Sequence, residues 1–257
     1  MFQIERTVAI SDTAPGGCLR LSHALDYLLE CECFQMDSED DFSVYLRQKG
    51  FAVFLAFRQV EIMRLPAYGE HLAIRTNVYE SKNFFGFRNT TIYDEQGRIC
   101  VLCAAIGAFV DRATGRPAKI PAEIIRGFHF DPPLPMEYLS RKIALPDREP
   151  ELLAPFRVKS HQADMYGHFN SNRSLDETME YLPDGFRFNR LRLEYKAQAK
   201  PGELITPALY RGVPEPDGLT FTLSNDSALC TVFEFSTARQ AGWPCSAHSD
   251  EQAAPPA

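Results

Sequence analysis

Apolar positions along this chain repeat with two different periods, and the order in which those periods occur appears twice. A short strand is expected over Ile4–Ile10, followed by a turn at Pro15-Gly16-Gly17. Leu21, Ala24, Leu25, Leu28 and Leu29 then fall at i, i+3, i+4 spacing, which predicts an amphipathic helix. A shorter acidic segment lies near Asp37–Lys49. Strand-like runs follow over Phe51–Leu65, His71–Glu80, Asn83–Tyr93 and Arg98–Val110, punctuated at Tyr68-Gly69 and at Asp94-Glu95-Gln96-Gly97. The plan recurs in shorter form. A strand is expected at Ala154–Val158, a helix at Ser171–Tyr181, and strands at Arg187–Ala199, Leu204–Gly212, Leu219–Leu223 and Ala228–Ser236.

At an offset of about 150 residues, Val8 meets Val158, Gly17 meets Gly167, Leu25 meets Leu175 and Asp26 meets Asp176. Further on, Val60-Glu61-Ile62 is echoed by Leu193-Glu194-Tyr195, and Gly69-Glu70 by Gly202-Glu203. A helix followed by antiparallel strands can bury its apolar stripe only against their sheet, so each unit reads as α+β. The expected division is an N-terminal unit over residues 1–126, a linker over 127–152, a second unit over 153–236 and a disordered tail over 237–257. Pro132-Pro133, Pro135, Pro146 and Pro150 make the linker an ordered crossing segment rather than a third domain.

With 45% hydrophobic and 12% aromatic residues the chain can build a substantial core. No apolar run approaches the ~20 residues that span a bilayer, and the first residues lack the pattern of a signal peptide. A cytoplasmic protein is the resulting expectation. The formal charge of −7 argues against nucleic-acid binding unless basic residues cluster. One cluster exists, Arg187, Arg190, Arg192, Lys196 and Lys200, which reads either as a solvated strand face or as a contact for an acidic partner. The seven cysteines are odd in number and most sit in apolar runs. Alternation would point Cys100 and Cys103 to opposite faces of a strand, so buried free thiols are expected. His23, His71, His129, His161 and His248 have no metal-like arrangement, and neither a metal nor a cofactor is expected.

The chemistry concentrates in Asp164-Met-Tyr166-Gly-His168-Phe-Asn170-Ser-Asn172, a turn-prone stretch directly before the second helix. Asp164 can orient His168 and balance its charge, leaving the other ring nitrogen to act on water. Asn170 and the free N–H groups of the helix start can polarise a carbonyl. The plainer reading of the same residues is a capped turn with a partly buried histidine. No Walker loop, dinucleotide fingerprint or G-x-S-x-G elbow is present.

The duplicated plan and this motif resemble the acyl-acyl-carrier-protein (acyl-ACP) thioesterases of plants and bacteria. Their pattern is D-x-N-x-H-x-N-N, continuing into a helix that often carries R-Y-L-D-W. Here the run is Asp164-Met-Tyr166-Gly-His168-Phe-Asn170-Ser171, then Arg173-Ser174-Leu175-Asp176-Glu177. Gly17-Cys18-Leu19-Arg20-Leu21-Ser22 and Thr114-Gly115-Arg116-Pro117-Ala118-Lys119-Ile120-Pro121 fit the first half. The resemblance implies a tandem hotdog in which each unit is a helix wrapped by an antiparallel sheet. It implies hydrolysis of fatty acyl-ACP thioesters, with the first unit shaping the acyl tunnel and the second supplying the catalytic groups. Asp164, His168, Gln198 and Tyr166 would be catalytic, with Tyr166 standing at an Asn position and Gln198 at a Glu position. Those two changes imply reduced activity.

Gln198 is expected on the polar strand face with Arg192, Glu194 and Lys196, unless a bulge intervenes. Asn170 and Asn172 are expected to bind substrate. Arg190 and Arg192 are expected to meet the acidic carrier on grounds of charge. Leu21, Leu25, Phe54 and Phe84 serve as tunnel wall or as core. Monomer and homodimer both fit. The alternatives are a non-catalytic acyl-thioester binder and a hotdog 3-hydroxyacyl-thioester dehydratase.

Overall fold

The computed structural model describes residues 1–238; of the expected tail, residues 239–257, with Cys245 and His248, lie outside the described residues, while the Thr237 and Ala238 N–H groups donate to Glu215 (2.8 Å) and Asn189 (2.6 Å). The first unit contains β1 (Phe2–Thr7), α1 (Leu21–Ser38), α2 (Asp40–Lys49), β2 (Phe51–Ile62), β3 (His71–Lys82), β4 (Phe85–Asp94) and β5 (Ile99–Asp111). A short helix, α3 (Ala122–Ile125), follows. The second unit contains β6 (Glu151–Leu152), β7 (Phe156–Arg157), α4 (Ser171–Met179), β8 (Arg190–Tyr195), β9 (Leu204–Arg211), β10 (Leu219–Ser224) and β11 (Leu229–Ser236). The first strand ends before the expected Ile10, because Ile10–Asp12 forms a 3₁₀ turn, as Ser160–Gln162 does in the second unit.

Among the described residues eleven strands join one antiparallel sheet, ordered β1-β3-β4-β5-β2-β8-β11-β10-β9-β6, with β7 pairing β9 beside β6. That order reads the same from either end, with a pseudo-twofold between β2 and β8. The junction pairs confirm the symmetry: Phe57 faces Glu194, Gln59 faces Arg192 and Glu61 faces Arg190. The repeat extends to single hydrogen bonds. Val8 N–H donates to Glu70 at 3.0 Å, as Val158 N–H does to Glu203 at 3.0 Å. Leu19 N–H donates to Pro66 at 2.7 Å, as Phe169 N–H does to Ala199 at 2.7 Å. The architecture is a tandem hotdog, because neither short helix could cover its apolar stripe without a sheet of its own.

Leu21, Ala24, Leu25 and Leu28 of α1 and Leu175 of α4 sit in one core with Val60, Ile74, Leu191, Leu193, Phe221 and Phe233 from the sheet. Leu21 and Leu25 are therefore core residues and not tunnel wall. Phe84 is 39% exposed. Asn172 Nδ2 (2.6 Å) and the Arg173 guanidinium both donate to Asp26, tying α4 to α1.

The opposite face of the sheet is crossed by the linker. Asn89 Oδ1 accepts from Leu134 N–H (3.0 Å) and Tyr138 O–H (2.9 Å), and Gln59 Oε1 accepts from Leu139 N–H (3.0 Å). Glu194 Oε2 accepts from Ile143 N–H at 3.0 Å, and Arg192 donates to Ser140 O at 2.5 Å. Polar side chains on this face thus satisfy the backbone of a segment that has no sheet partner of its own.

The expected basic face is corrected here. Arg190 and Arg192 are 7% and 8% exposed and pair with Glu61 and Glu234, each at 2.6 Å. They anchor the linker and the inter-unit junction, and they offer no free charge to a partner.

Asp94 closes the β4–β5 turn. Burial pushes its carboxyl up, but hydrogen bonds from Arg64, from the Arg98 N–H and from the Arg98 side chain outweigh this and hold it at about 2. A depressed carboxyl contributes stability that is present above its unfolded value and lost as pH falls through the folded one. Between about pH 4 and pH 2, stability is expected to fall in the wild type and to fall less in Asp94→Asn. Urea midpoints measured across that window check this, and parallel pH profiles would contradict it.

Candidate active site

Two backbone bonds shape the motif loop: Asp164 N–H to His168 O at 2.8 Å, and Gly167 N–H to Asp164 O at 3.0 Å. Gly167 takes a φ of 78°, a conformation that favours glycine and lets the loop reverse. Asp164 Oδ1 accepts from the N–H groups of Tyr166 (2.9 Å) and His168 (3.0 Å). The carboxylate therefore fixes the backbone that carries His168 and does not bond the ring. This differs from the expected Asp–His contact, and the reason is local: two amide donors within four residues capture the nearest oxygen.

His168 is half-buried, and its ring meets Phe54 of β2 edge-on at 6.3 Å between centroids. Tyr166 meets the same Phe54 at 5.8 Å and lies under Arg112, whose guanidinium carbon is 5.6 Å from the ring centroid. The second unit's motif thus faces the first unit. That contact is between residues 54 and 168, too far apart in sequence for spacing or periodicity to suggest it.

Asn170 is the N-cap of α4, its Oδ1 accepting from Asn172 N–H (2.8 Å) and Arg173 N–H (3.2 Å). Its oxygen is spent on the helix, which leaves its Nδ2 and the Ser171 N–H as donors without a partner among the described residues. Asn170→Ala is expected to cost about 1 kcal/mol, read as a lower urea midpoint, whereas Asn170→Asp, which keeps the acceptor, should retain most of that stability. Asn172 is fully buried and held by Asp26, so it supports the inter-helix contact and does not touch a substrate.

The strand that was to carry Gln198 ends at Tyr195. Lys196 N–H (2.8 Å) and Ala197 N–H (3.2 Å) both donate to Cys230 O, a bulge that upsets the alternation. Met63 and Arg64 share Cys100 O in the same way in the first unit. Past the bulge the chain runs beside the motif, where Ala199 O receives the Phe169 N–H at 2.7 Å. Gln198 is exposed there, one residue from that bond and on no strand face. Lys196 pairs with Glu194 at 3.0 Å.

An apolar cavity of about 100 Å³ lies in the first unit, between α1 and the sheet. Val53 and Leu55, the neighbours of Phe54, line it. Phe42 packs edge-on against Phe109 (6.1 Å) and Phe128 (4.9 Å), and all three close its far side. None of Leu21, Leu25, Phe54 and Phe84 lines this cavity. The sequence reading missed Arg58 and Arg88 beneath α1 and Glu32 on its buried face. A signal existed for Glu32, which continues the buried Leu25, Leu28 stripe of the helix as a carboxylate.

Cys31, Cys100, Cys103 and Cys230 are buried free thiols, and burial pushes Cys103 up to about 12. Cys18 is exposed, and occupies the place in the first unit that His168 has in the second. Among the described residues no group of three or more His, Cys, Asp or Glu could hold a metal ion, and no helix is long and apolar enough to cross a membrane.

Residues 1–128 match the family model of the acyl-ACP thioesterase N-terminal domain, a match that ends before the His168 motif. Among solved structures, an acyl-ACP thioesterase from Bacteroides thetaiotaomicron superposes with a TM-score of 0.81 at 18% identity, covering 91% of this chain and 96% of that one. An oleoyl thioesterase (putative) from Lactobacillus plantarum gives 0.78 at 17% identity, covering 91% and 94%. The 12:0-ACP thioesterase from Umbellularia californica gives 0.78 at 14%, covering 91% and 96%. At these identities the likeness establishes the fold. A search of curated proteins finds no match to this sequence.

Proposed function

We propose, for a chain that belongs to the acyl-ACP thioesterase family through its residues 1–128, that it hydrolyses fatty acyl thioesters carried on acyl carrier protein. The observation that supports this most directly is the meeting of His168 with Phe54, which brings the second unit's motif against β2, the strand whose Val53 and Leu55 line the apolar cavity on its other face. In this reading the acyl chain occupies the first unit and its thioester reaches the second unit's motif.

Water adds to the thioester carbonyl carbon while His168 takes its proton. The oxyanion is met by the two free donors at the α4 start, Ser171 N–H and Asn170 Nδ2. Collapse breaks the C–S bond, and the proton held by His168 passes to the departing thiolate. Gln198 cannot act as a base near neutral pH, but its amide can hold the water in line. Asp164 acts as a positioning residue, through the loop backbone.

Two exposed basic groups lie beside the motif: Arg112, over Tyr166, and Lys200, next to the Ala199–Phe169 bond. They replace Arg190 and Arg192 as the proposed contacts for an acidic carrier in the cytoplasm. Release of free thiol from a panel of acyl-ACP and acyl-coenzyme A thioesters tests the reading, and no release from any would end it. The second reading, a binder without turnover, is favoured by the exposed Gln198 where a carboxylate was expected; there, acyl analogues bind and no thiol appears.

A further inference from the structure

Beneath α1 the sheet register explains why a cavity exists and what lines its floor. Two rows cross β2, β5, β4 and β3 there: Leu55, Gly107, Gly86 and Ser81, then Arg58, Ala105, Arg88 and Val78. Three of the four central positions, Gly107, Gly86 and Ala105, have a methyl group or less, so a hollow opens under Leu29, Cys33 and Met36. A Cβ added to Gly107 would stand 2.6 Å from Val53 Cγ1, and one on Gly86 would stand 3.3 Å from Phe109 Cζ. The fourth central residue is Arg88.

The charges under α1 do not balance. Glu32 gives one carboxylate oxygen to Arg58 (2.8 Å) and the other to the Thr90 hydroxyl (2.9 Å). Arg88 instead donates to the backbone carbonyl of Glu32 (3.0 Å) and to Gln35 Oε1 (3.1 Å). Among the described residues no carboxylate lies within ion-pair distance of Arg88, so one acid serves two guanidiniums. A guanidinium has five N–H donors, and two acceptors leave part of it unmet beside an apolar cavity. A purely hydrocarbon ligand would leave those donors without partners, which a buried polar group pays for in affinity.

We infer that this cavity selects acyl chains that carry a carbonyl or hydroxyl oxygen within the chain, with Arg88 as the donor that recognises it. The identity of the ligand as an acyl chain rests on the thioesterase reading, while the demand for an acceptor rests on Arg88 and its surroundings.

The test is direct binding of pantetheine ketones in which a methylene separates sulfur from the carbonyl, so that no thioester can be cleaved. Chains of one length are compared, unsubstituted or hydroxylated at successive positions. One hydroxylated analogue is expected to bind the wild type about tenfold more tightly than the unsubstituted parent. In Arg88→Met the ratio should fall to about one, with the thermal midpoint recorded to show that the variant is folded. Equal binding of parent and all hydroxylated analogues to the wild type overturns the inference. So does a preference that survives in Arg88→Met, or an absence of any binding. The wild-type comparison stands even if the variant does not fold. The two readings fail separately: selective binding without thiol release from true thioesters removes the hydrolase, and turnover with no selectivity removes the oxygen recognition.

Discussion

Replacing His168 by alanine is expected to lower the rate of thiol release by about 10²–10⁴-fold while leaving acyl-analogue binding within a few-fold of wild type. His168 is the one residue of the motif loop with an imidazole to move protons, and its ring contacts are with Phe54 rather than with structural polar partners. Removing it leaves the loop's own bonds intact, since these run through Asp164 Oδ1 and backbone amides. A comparable loss is expected for Asp164→Ala, but by a different route. Its carboxylate holds the amides of residues 166 and 168, so the loss should come with a more mobile loop, seen as faster amide exchange there. Asp164→Asn, which keeps an acceptor oxygen, should restore a large part of the activity. A His168→Ala enzyme that turns over at the wild-type rate would end the general-base role. If wild type and His168→Ala both bind analogues and neither releases thiol, the binder reading is correct, and Gln198→Glu becomes the variant to examine for gained activity.

Truncating Arg58 is expected to have the largest effect on stability. Its side chain is 0% exposed and its partner Glu32 is 4% exposed, their contact being 2.8 Å. The negative charge of Glu32 in turn holds Arg58 above the ordinary arginine range despite burial, which opposes it. Breaking one side of a buried pair leaves the other charge without compensation, at a cost of about 3–5 kcal/mol. Arg58→Met should therefore lower the urea midpoint by more than about 1 M, taking a slope near 3 kcal/mol/M. Changing both partners, Arg58→Met with Glu32→Leu, should recover part of the loss but not all of it. The Thr90 hydroxyl would still face the emptied carboxylate position, and Arg88 would lose the negative charge of Glu32, which favours its cationic form against burial. Full recovery in the double variant would mean that Glu32 and Arg58 act as an isolated pair. No destabilisation in the single variant would mean that water reaches the site.

Several features of the fold were legible because they depend on local periodicity. The α1 stripe, the turns at Gly17, Gly69 and Gly97, and the four strands of each unit follow from spacing that any single segment displays. The repeat was legible too, since Val8 with Val158 and Gly69-Glu70 with Gly202-Glu203 mark positions making equivalent backbone bonds in both units. The site was only half legible. The loop and its cap could be read because Asp164, Gly167 and Asn170 act within a few residues of themselves.

What alternation predicted for Arg192, Glu194, Lys196 and Gln198 failed for two physical reasons. A bulge at Lys196 and Ala197 ended the strand, and the linker buried the face that was expected to be solvated. Neither event has a signature in the strand's own residues. The sequence by itself determined the repeated units, the motif loop and the N-cap, because each is settled by hydrogen bonds and side-chain periods inside one segment. Only the tertiary structure decided that Phe54 would meet His168, that Arg190 and Arg192 would become internal ion pairs, and that Arg88 would line a cavity floored by glycines. Those outcomes depend on which strand lies beside which, on register and on what covers each face, and a sheet settles these only when every strand is in place.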